Sequence, residues 1–279
     1  MELGTYIERH ARADMRTPIA GLTLARVTNT ESEYSLTGPM LVVMARGGKR
    51  LLLGDRVYEY RAGQCLLVTT ELPVSGHFFG TPALGVGLTL RPESIAPLLL
   101  AAPPVARSPS APAIATGDIT PALLDAVTRL VRLLDHPRDI EVLAPLYERE
   151  ILWRLLTGPH GDVVRQIGLA DSNLTHINRA ILWLRENYAE PMRVDDLAKL
   201  AGMSTSAFHR HFRDVTAMSP LQFQKRLRLQ EARALLLARP DDVAGVGHLV
   251  GYDSPSQFSR EYRRLFGAPP GRDAARLRG

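Results

Sequence analysis

Apolar residues fall in short runs through one part of this chain and at helical spacing through the rest. Between Met40 and Leu90, "MLVVMA", "KRLLL", "RVYEY", "QCLLVTT", "VSGHFF" and "ALGVGLTL" are brief apolar stretches bounded by turn residues, and they predict six strands. Gly47-Gly48 and Gly54-Asp55 fall between such runs. Both pairs accept positive φ, so both are expected to be hairpin turns. Strands this close in sequence predict an antiparallel meander or a small barrel. A short helix is expected before them, near Leu3–Arg12.

After the strands, the Pro/Ala/Ser stretch "AAPPVARSPSAPA" (Ala101–Ala113) reads as a loop, and two amphipathic helices follow. The first, over Pro121–Leu134, carries Leu123, Leu124, Val127, Val131 and Leu134 on one stripe. The second, over Glu141–Leu156, carries Leu143, Leu146, Tyr147, Ile151 and Leu155. Such helices can cover their own sheet, form a dimer face, or do both. "TGPHGD" from Thr157 ends the helical pattern and the chain stays polar to about Thr175. A linker is therefore expected over 158–176, between a domain over 1–157 and another over 177–279.

Beyond the linker the periodicity predicts helices over Ile177–Asn187, Val194–Ala201, Ser204–Asp214, Pro220–Ala238, Val243–Val250 and Ser254–Phe266. Two of these stretches repeat each other. "LAKLAGMSTSAFHRHF" from Leu197 aligns with "VGHLVGYDSPSQFSREY" from Val246, at an offset of 49 as far as Gly202/Gly251 and 50 from Ser204/Ser254 onward. The second copy has one more turn residue, Asp253. Each copy has the parts of a helix-turn-helix. A small residue, Ala198 or Gly247, allows a close helix crossing. A glycine four residues on ends the first helix. A serine caps the second, with Pro255 at its N1 position in the later copy.

Within each second helix, one stripe is predicted to be buried: Phe208, Phe212 and Val215, then Phe258, Tyr262 and Leu265. Another stripe carries Ser206, Arg210 and Arg213, matched by Ser256, Arg260 and Arg263. A core side plus a polar, cationic side is what a helix needs to sit in a DNA major groove. A single copy would also fit an ordinary helical hairpin with an exposed arginine. Two copies sharing glycine, caps and arginines favour the groove reading.

The charge distribution agrees. The chain has 279 residues, 45% apolar, and a net charge of +5. Residues 172–279 hold 17 basic against 11 acidic residues, whereas residues 1–171 hold 17 against 18, so the whole excess lies in the repeat-bearing part. That suggests a polyanion partner there. A generally arginine-rich composition, with 31 arginines to 3 lysines, is the plainer alternative. Cys65 is the only cysteine, which excludes an internal disulfide and a thiolate-rich zinc site and fits a reduced, cytoplasmic setting. No secretory leader is expected in Met1–Arg12. The longest apolar run, Ile95–Ala106, is too short and too broken by prolines to span a bilayer.

With these residues in view, the region from about Ile177 to Asp273 resembles the AraC/XylS family of bacterial transcription regulators. The stretches that carry the resemblance are "DLAKLAGMSTSAFHRHFRDVTAMSPLQFQKRLRLQEAR" and "VGYDSPSQFSREYRRLFGAPP". The resemblance implies two helix-turn-helix units joined by one long helix, here Pro220–Ala238, reading adjacent turns of one face of double-stranded DNA. It implies Ser206, His209, Arg210, Ser256, Gln257 and Arg260 as base-facing residues. Thr205, Arg213, Arg263 and Arg264 are then expected on phosphates, which position a protein without specifying sequence. Gly247 departs from the family's usual alanine. That predicts a helix weaker by about 1 kcal/mol and, with Pro255, a second unit that reads DNA more loosely.

"PMLVVMARGGKRLLLGDRVYEYRAGQCLLVTTELPVSGHF" resembles the cupin-like N-terminal sensory domain of one branch of that family. The resulting fold class is α+β: a β-rich, cupin-like domain with helices, then an all-α domain of two helix-turn-helix units. A regulator without enzymatic activity is expected, more an activator than a repressor. The resemblance also implies a small-molecule effector, RNA polymerase and a second copy of the chain as partners. His10, His77, His136 and His160 are unpaired in sequence, so no metal is expected, and no G-x-S-x-G, P-loop or H-E-x-x-H motif is present. No cofactor is expected. Cys65 could sense electrophiles or act as a small hydrophobe in a packed strand. His77 could touch the effector or be an ordinary satisfied polar residue. A cupin enzyme and an architectural DNA-binding protein without a ligand are the rival readings.

Overall fold

The structure is a computed structural model that describes residues 2–103, 112–169 and 172–278. The chain divides into two compact units, one of Met1–His176 with Asp214–Ala217, the other of Ile177–Arg213 with Met218–Gly279.

The first unit contains α1 (Glu2–His10), β1 (Leu22–Val27), β2 (Glu33–Thr37), β3 (Met40–Leu53), β4 (Arg56–Arg61), β5 (Gln64–Val68), β6 (Leu72–Thr89), α2 (Pro92–Leu99), β7 (Ile114–Asp118), α3 (Pro121–Arg132), α4 (Ile140–Thr157) and α5 (Gly161–Gly168). All strand pairs are antiparallel, in the order β1-β6-β3-β5-β7, with β2 also on β6 and β4 also on β3. The antiparallel expectation therefore holds, but two expected strand pairs are each one long strand. Gly47-Gly48 is not a turn. It lies inside β3, where the β3–β6 register shifts between Met44 and Gly48. Gly47 has φ +67°, and a Cβ on it would stand 2.6 Å from the Gly80 carbonyl oxygen. Both properties suit a bulge that brings two strands close. Gly54, at φ +61°, does turn the chain from β3 into β4. β1, β2, β7 and α2 carried no recognised signal.

Leu24, Val43, Leu66, Leu67, Leu72 and Leu84 bury their side chains in the sheet. α3 buries Leu123, Val127, Leu130 and Val131, and α4 buries Ile151, Leu152, Leu155 and Leu156. Cys65, Leu123 and Leu155 line one small cavity, so these helices back the sheet at β5. The expected stripe of α4 needs one correction: Leu146 is 58% exposed, on the far side with Val142 at 68%. The stretch expected as a polar linker contains α5, which buries Val163, Val164 and Ile167. Gly168 lies close enough to α2 that a Cβ would meet Ile95 at 2.7 Å. Of the loop expected over Ala101–Ala113, residues 104–111 lie outside those described.

The second unit is helical: α6 (Asn173–Glu186), α7 (Val194–Leu200), α8 (Thr205–Thr216), α9 (Pro220–Ala238), α10 (Val243–Leu249), α11 (Pro255–Phe266) and α12 (Pro270–Arg278). α9 starts with a complete capping box, in which the Ser219 side chain accepts from the Gln222 amide and Gln222 Oε1 accepts from the Ser219 amide. Its buried face carries Phe223, Leu227, Leu229, Ala232 and Leu236. α12 was not foreseen. It is held by Asp273, which is fully buried. No helix among the described residues is long and apolar enough to cross a membrane.

Candidate nucleic-acid interface

The two helix-turn-helix units are built by the same backbone chemistry. Gly202 and Gly251 have φ +66° and +87°. After α7 the Met203 amide donates to the Ala198 carbonyl at 2.9 Å; after α10 the Tyr252 amide donates to the Gly247 carbonyl at 3.0 Å. These are the six-to-one bonds of a Schellman ending, which needs a left-handed residue just past the helix. Ser204 Oγ then accepts from the Ala207 amide and Ser254 Oγ from the Gln257 amide, each at 3.3 Å. Pro255 sits at N1, where no backbone donor is required.

The aromatic stripes anchor both second helices. Phe208 and Phe212 are fully buried with ring centroids 5.3 Å apart, and Phe212 meets Phe223 of α9 edge-on at 5.5 Å. Phe258 and Tyr262 are likewise fully buried, 5.6 Å apart. The third member is Phe266, 4.4 Å from Tyr262, and not Leu265, which is half-buried. The Tyr262 hydroxyl donates to Asp273 at 2.9 Å, and Arg233 of α9 donates to the same carboxylate at 2.8 Å. Burial alone would raise the Asp273 carboxyl, but these donors hold it below the usual carboxylate range.

The opposite faces are open. Thr205, Ser206, His209, Arg210 and Arg213 on α8 are exposed, as are Ser256, Arg260, Arg263 and Arg264 on α11. Arg260, Arg263, Arg264 and Ser259 line a shallow cleft with Pro269. Among the described residues none of these five arginines has a carboxylate partner, in contrast to Arg233 and Arg276 of the same unit, which pair with Asp273. Two expected contact residues are already engaged. Thr205 Oγ1 donates to Asp195 at 2.9 Å. Gln257, half-buried, donates to Glu261 at 3.2 Å. Glu261 also accepts from Lys225 at 2.8 Å and from the Tyr252 hydroxyl at 2.9 Å. Tyr252, Gln257 and Glu261 stand within ten residues of one another, but Lys225 joins them from α9, 36 residues before Glu261. Gly247 also does more than weaken its helix, since a Cβ there would stand 2.9 Å from the Phe258 ring.

In the first unit, Cys65 is 1% exposed, and burial, aided by the Asp118 charge, pushes its thiol up to about 11. A thiol so protonated is a poor nucleophile, and the geometry supports the packing reading over the sensing one. His77 is half-buried and sits opposite Arg50 across the β3–β6 pair. It therefore shares its sheet face with the exposed Arg50–Glu59 ion pair, away from the buried Gly76 and Phe78. The two expected effector contacts are not brought together.

Two matched helix-turn-helix units hung on one long helix, joined in sequence to a unit built on an antiparallel sheet, define a two-part transcription regulator. Residues 18–163, just over half of the chain, match the AraC-type transcriptional regulator N-terminus, and residues 197–276 match a helix-turn-helix domain. The protein belongs to the AraC family of transcription regulators. It is 29% identical over 164 residues to the HTH-type transcriptional activator RhaS of Salmonella paratyphi A, covering 56% of this chain and 58% of that one. It is 29% identical over 161 residues to the HTH-type transcriptional regulator ExsA of Pseudomonas aeruginosa, covering 58% and 57%. The chain thus spans a little over half the length of the curated relatives it matches. The apo form of a lysine-to-alanine variant of ToxT from Vibrio cholerae shares the fold over 93% of this chain and 99% of its own, with a TM-score of 0.58 at 9% identity. Wild-type ToxT bound to an unsaturated fatty acid gives a TM-score of 0.54 at 11% identity over 93% and 97%.

Proposed function

We propose that the protein reads a two-part site in double-stranded DNA with α8 and α11 and regulates transcription from it, as an activator. The observation that carries this reading is the pair of equivalent exposed faces whose arginines have no carboxylate partner among the described residues. Unpaired guanidinium groups on a helix anchored from behind suit guanine edges and phosphates. Ser206, His209, Arg210, Ser256 and Arg260 are assigned to bases, with Gln257 as a base contact already tethered to Glu261. Arg213, Arg263 and Arg264 are assigned to phosphates, with Thr205 beside them. The activator name of RhaS supports the sign of regulation, and contact with RNA polymerase follows from it.

The first unit is assigned an effector of low molecular mass, a reading supported by the fatty acid in the ToxT structure. An effector regulates only by binding one state of the protein more tightly than another. The same unit is assigned the contact between two copies of the chain, through the exposed Val142 and Leu146 of α4. Selection from a pool of random duplexes with the full chain tests the DNA reading. It should enrich a motif of two halves about one helical turn apart. Failure to enrich any motif would refute it.

A further inference from the structure

The second helix-turn-helix unit is tied to the segment that leads into the first through one guanidinium. Arg228, midway along α9, donates from Nε to the Tyr188 carbonyl at 2.7 Å and from Nη1 to the Gly251 carbonyl at 2.7 Å. Its Nη2 donates to the carbonyls of Ala189 at 3.1 Å and Glu190 at 3.2 Å. Gln224, one turn earlier and 4% exposed, donates from Nε2 to the carbonyls of Tyr188 at 3.1 Å and Glu190 at 2.7 Å. Residues 188–190 lead from α6 into the first helix-turn-helix; Gly251 is the turn glycine of the second. The turn and that segment also touch directly, because a Cβ on Gly251 would run into the Ala189 carbonyl oxygen. The Tyr252 ring lies beside the guanidinium, 5.9 Å from its carbon.

A guanidinium is planar and presents its donors in a fixed fork. With its donors committed to carbonyls on both sides, it holds the two units at one relative setting. We propose that Arg228, seconded by Gln224, is a positioning residue that fixes the spacing between the two DNA half-sites the protein accepts. The proposal rests on the reading of α8 and α11 as DNA-reading helices. One base pair inserted between half-sites turns the second by about 34° and moves it by about 3.4 Å. A domain locked by Arg228 cannot follow that change, whereas one released from it can. Lysine keeps the charge but offers its donors from a single point, so it cannot span the carbonyls of 188–190 and 251 together.

The test uses the duplex enriched by the wild-type full chain, and copies of it with one base pair added or removed between its halves. Wild-type binding should weaken by about tenfold or more on either change, the size of a lost base contact. Arg228→Lys should weaken by less than about threefold, with its preferred spacing broadened when selection is repeated. Gln224→Ala should show a smaller broadening in the same direction, and it decides the matter if Arg228→Lys does not fold. Unchanged spacing selectivity in the folded variants would overturn the proposal while leaving DNA recognition standing. No enrichment by the wild type would overturn the DNA reading beneath it.

Discussion

The ring of Phe258 occupies the space where a side chain on Gly247 would begin, with its Cδ1 2.9 Å from the position of a Cβ. The first helix-turn-helix meets the same packing problem with Ala198, buried at 1% exposure. Two effects therefore oppose each other in Gly247→Ala. Helix propensity favours alanine by about 1 kcal/mol, and overpacking a filled core costs about 1–3 kcal/mol. Phe258 is fully buried, and its ring would have to shift to admit the methyl group. The variant is expected to be destabilised by about 1 kcal/mol net, read by chemical denaturation of the full chain. A stabilised variant would mean that propensity alone governs the site.

Asp273 joins α9, α11 and α12 through Arg233, Tyr262 and Arg276. Its folded carboxyl titrates below its unfolded value, despite burial, because of those donors. Its stabilisation is therefore complete above an unfolded value of about 3.9 and is lost as pH falls through the folded one. Glu261, lowered by Lys225, Gln257 and Tyr252 against its own desolvation, acts in the same sense. The helical unit should lose stability as pH falls below about 4, where these two carboxyls take up protons. Asp273→Asn removes the buried charge that Arg233, Tyr262 and Arg276 share and should cost about 3 kcal/mol or more at neutral pH. Thermal melts across pH check both statements.

The Cys65 thiol, buried and raised to about 11, should be inert in the folded protein. Labelling with a disulfide reagent at pH 7.5 is expected to be at least about a hundredfold slower than after unfolding. Rapid labelling of the native chain would restore the sensing role.

Val142 and Leu146 stand exposed one turn apart on α4. Sedimentation of the wild type should report a dimer, and Leu146→Glu should shift it to monomer without loss of thermal stability. A wild type that stays monomeric at all concentrations would remove this face from the regulatory scheme.

The helix-turn-helix repeat was legible because its signals are local: a glycine four residues past a small one, a serine cap, aromatics one turn apart. Leu265 and Phe266 are adjacent, and the stripe rule chose the wrong neighbour because α11 turns its last ring toward Tyr262. Gly47-Gly48 misled for a physical reason, since positive φ serves a bulge as well as a hairpin. β2 and β7 are hard to read because "EYSLT" and "IATGD" hold few apolar residues and take their place from partners on β6 and β5, whereas "LTLARV" of β1 does carry buried apolar residues at Leu22, Leu24 and Val27 and its signal was passed over. The tether of Gln257 to Glu261 is an i,i+4 pair on α11 and stands in the sequence, but Lys225 of α9, which fixes Glu261 from 36 residues away, lies in no short window.

The most direct measurement is a binding titration of Arg210→Ala, Arg260→Ala and Arg213→Ala against every single-base change in the selected duplex, at two salt concentrations. Arg210→Ala should lose about 1–3 kcal/mol of base discrimination in one half-site, and Arg260→Ala a similar amount in the other. Arg213→Ala should weaken all sequences alike and lower the salt slope by about one. Equal effects of all three variants, spread evenly over both half-sites, would contradict the assignment of α8 and α11 as the two reading helices.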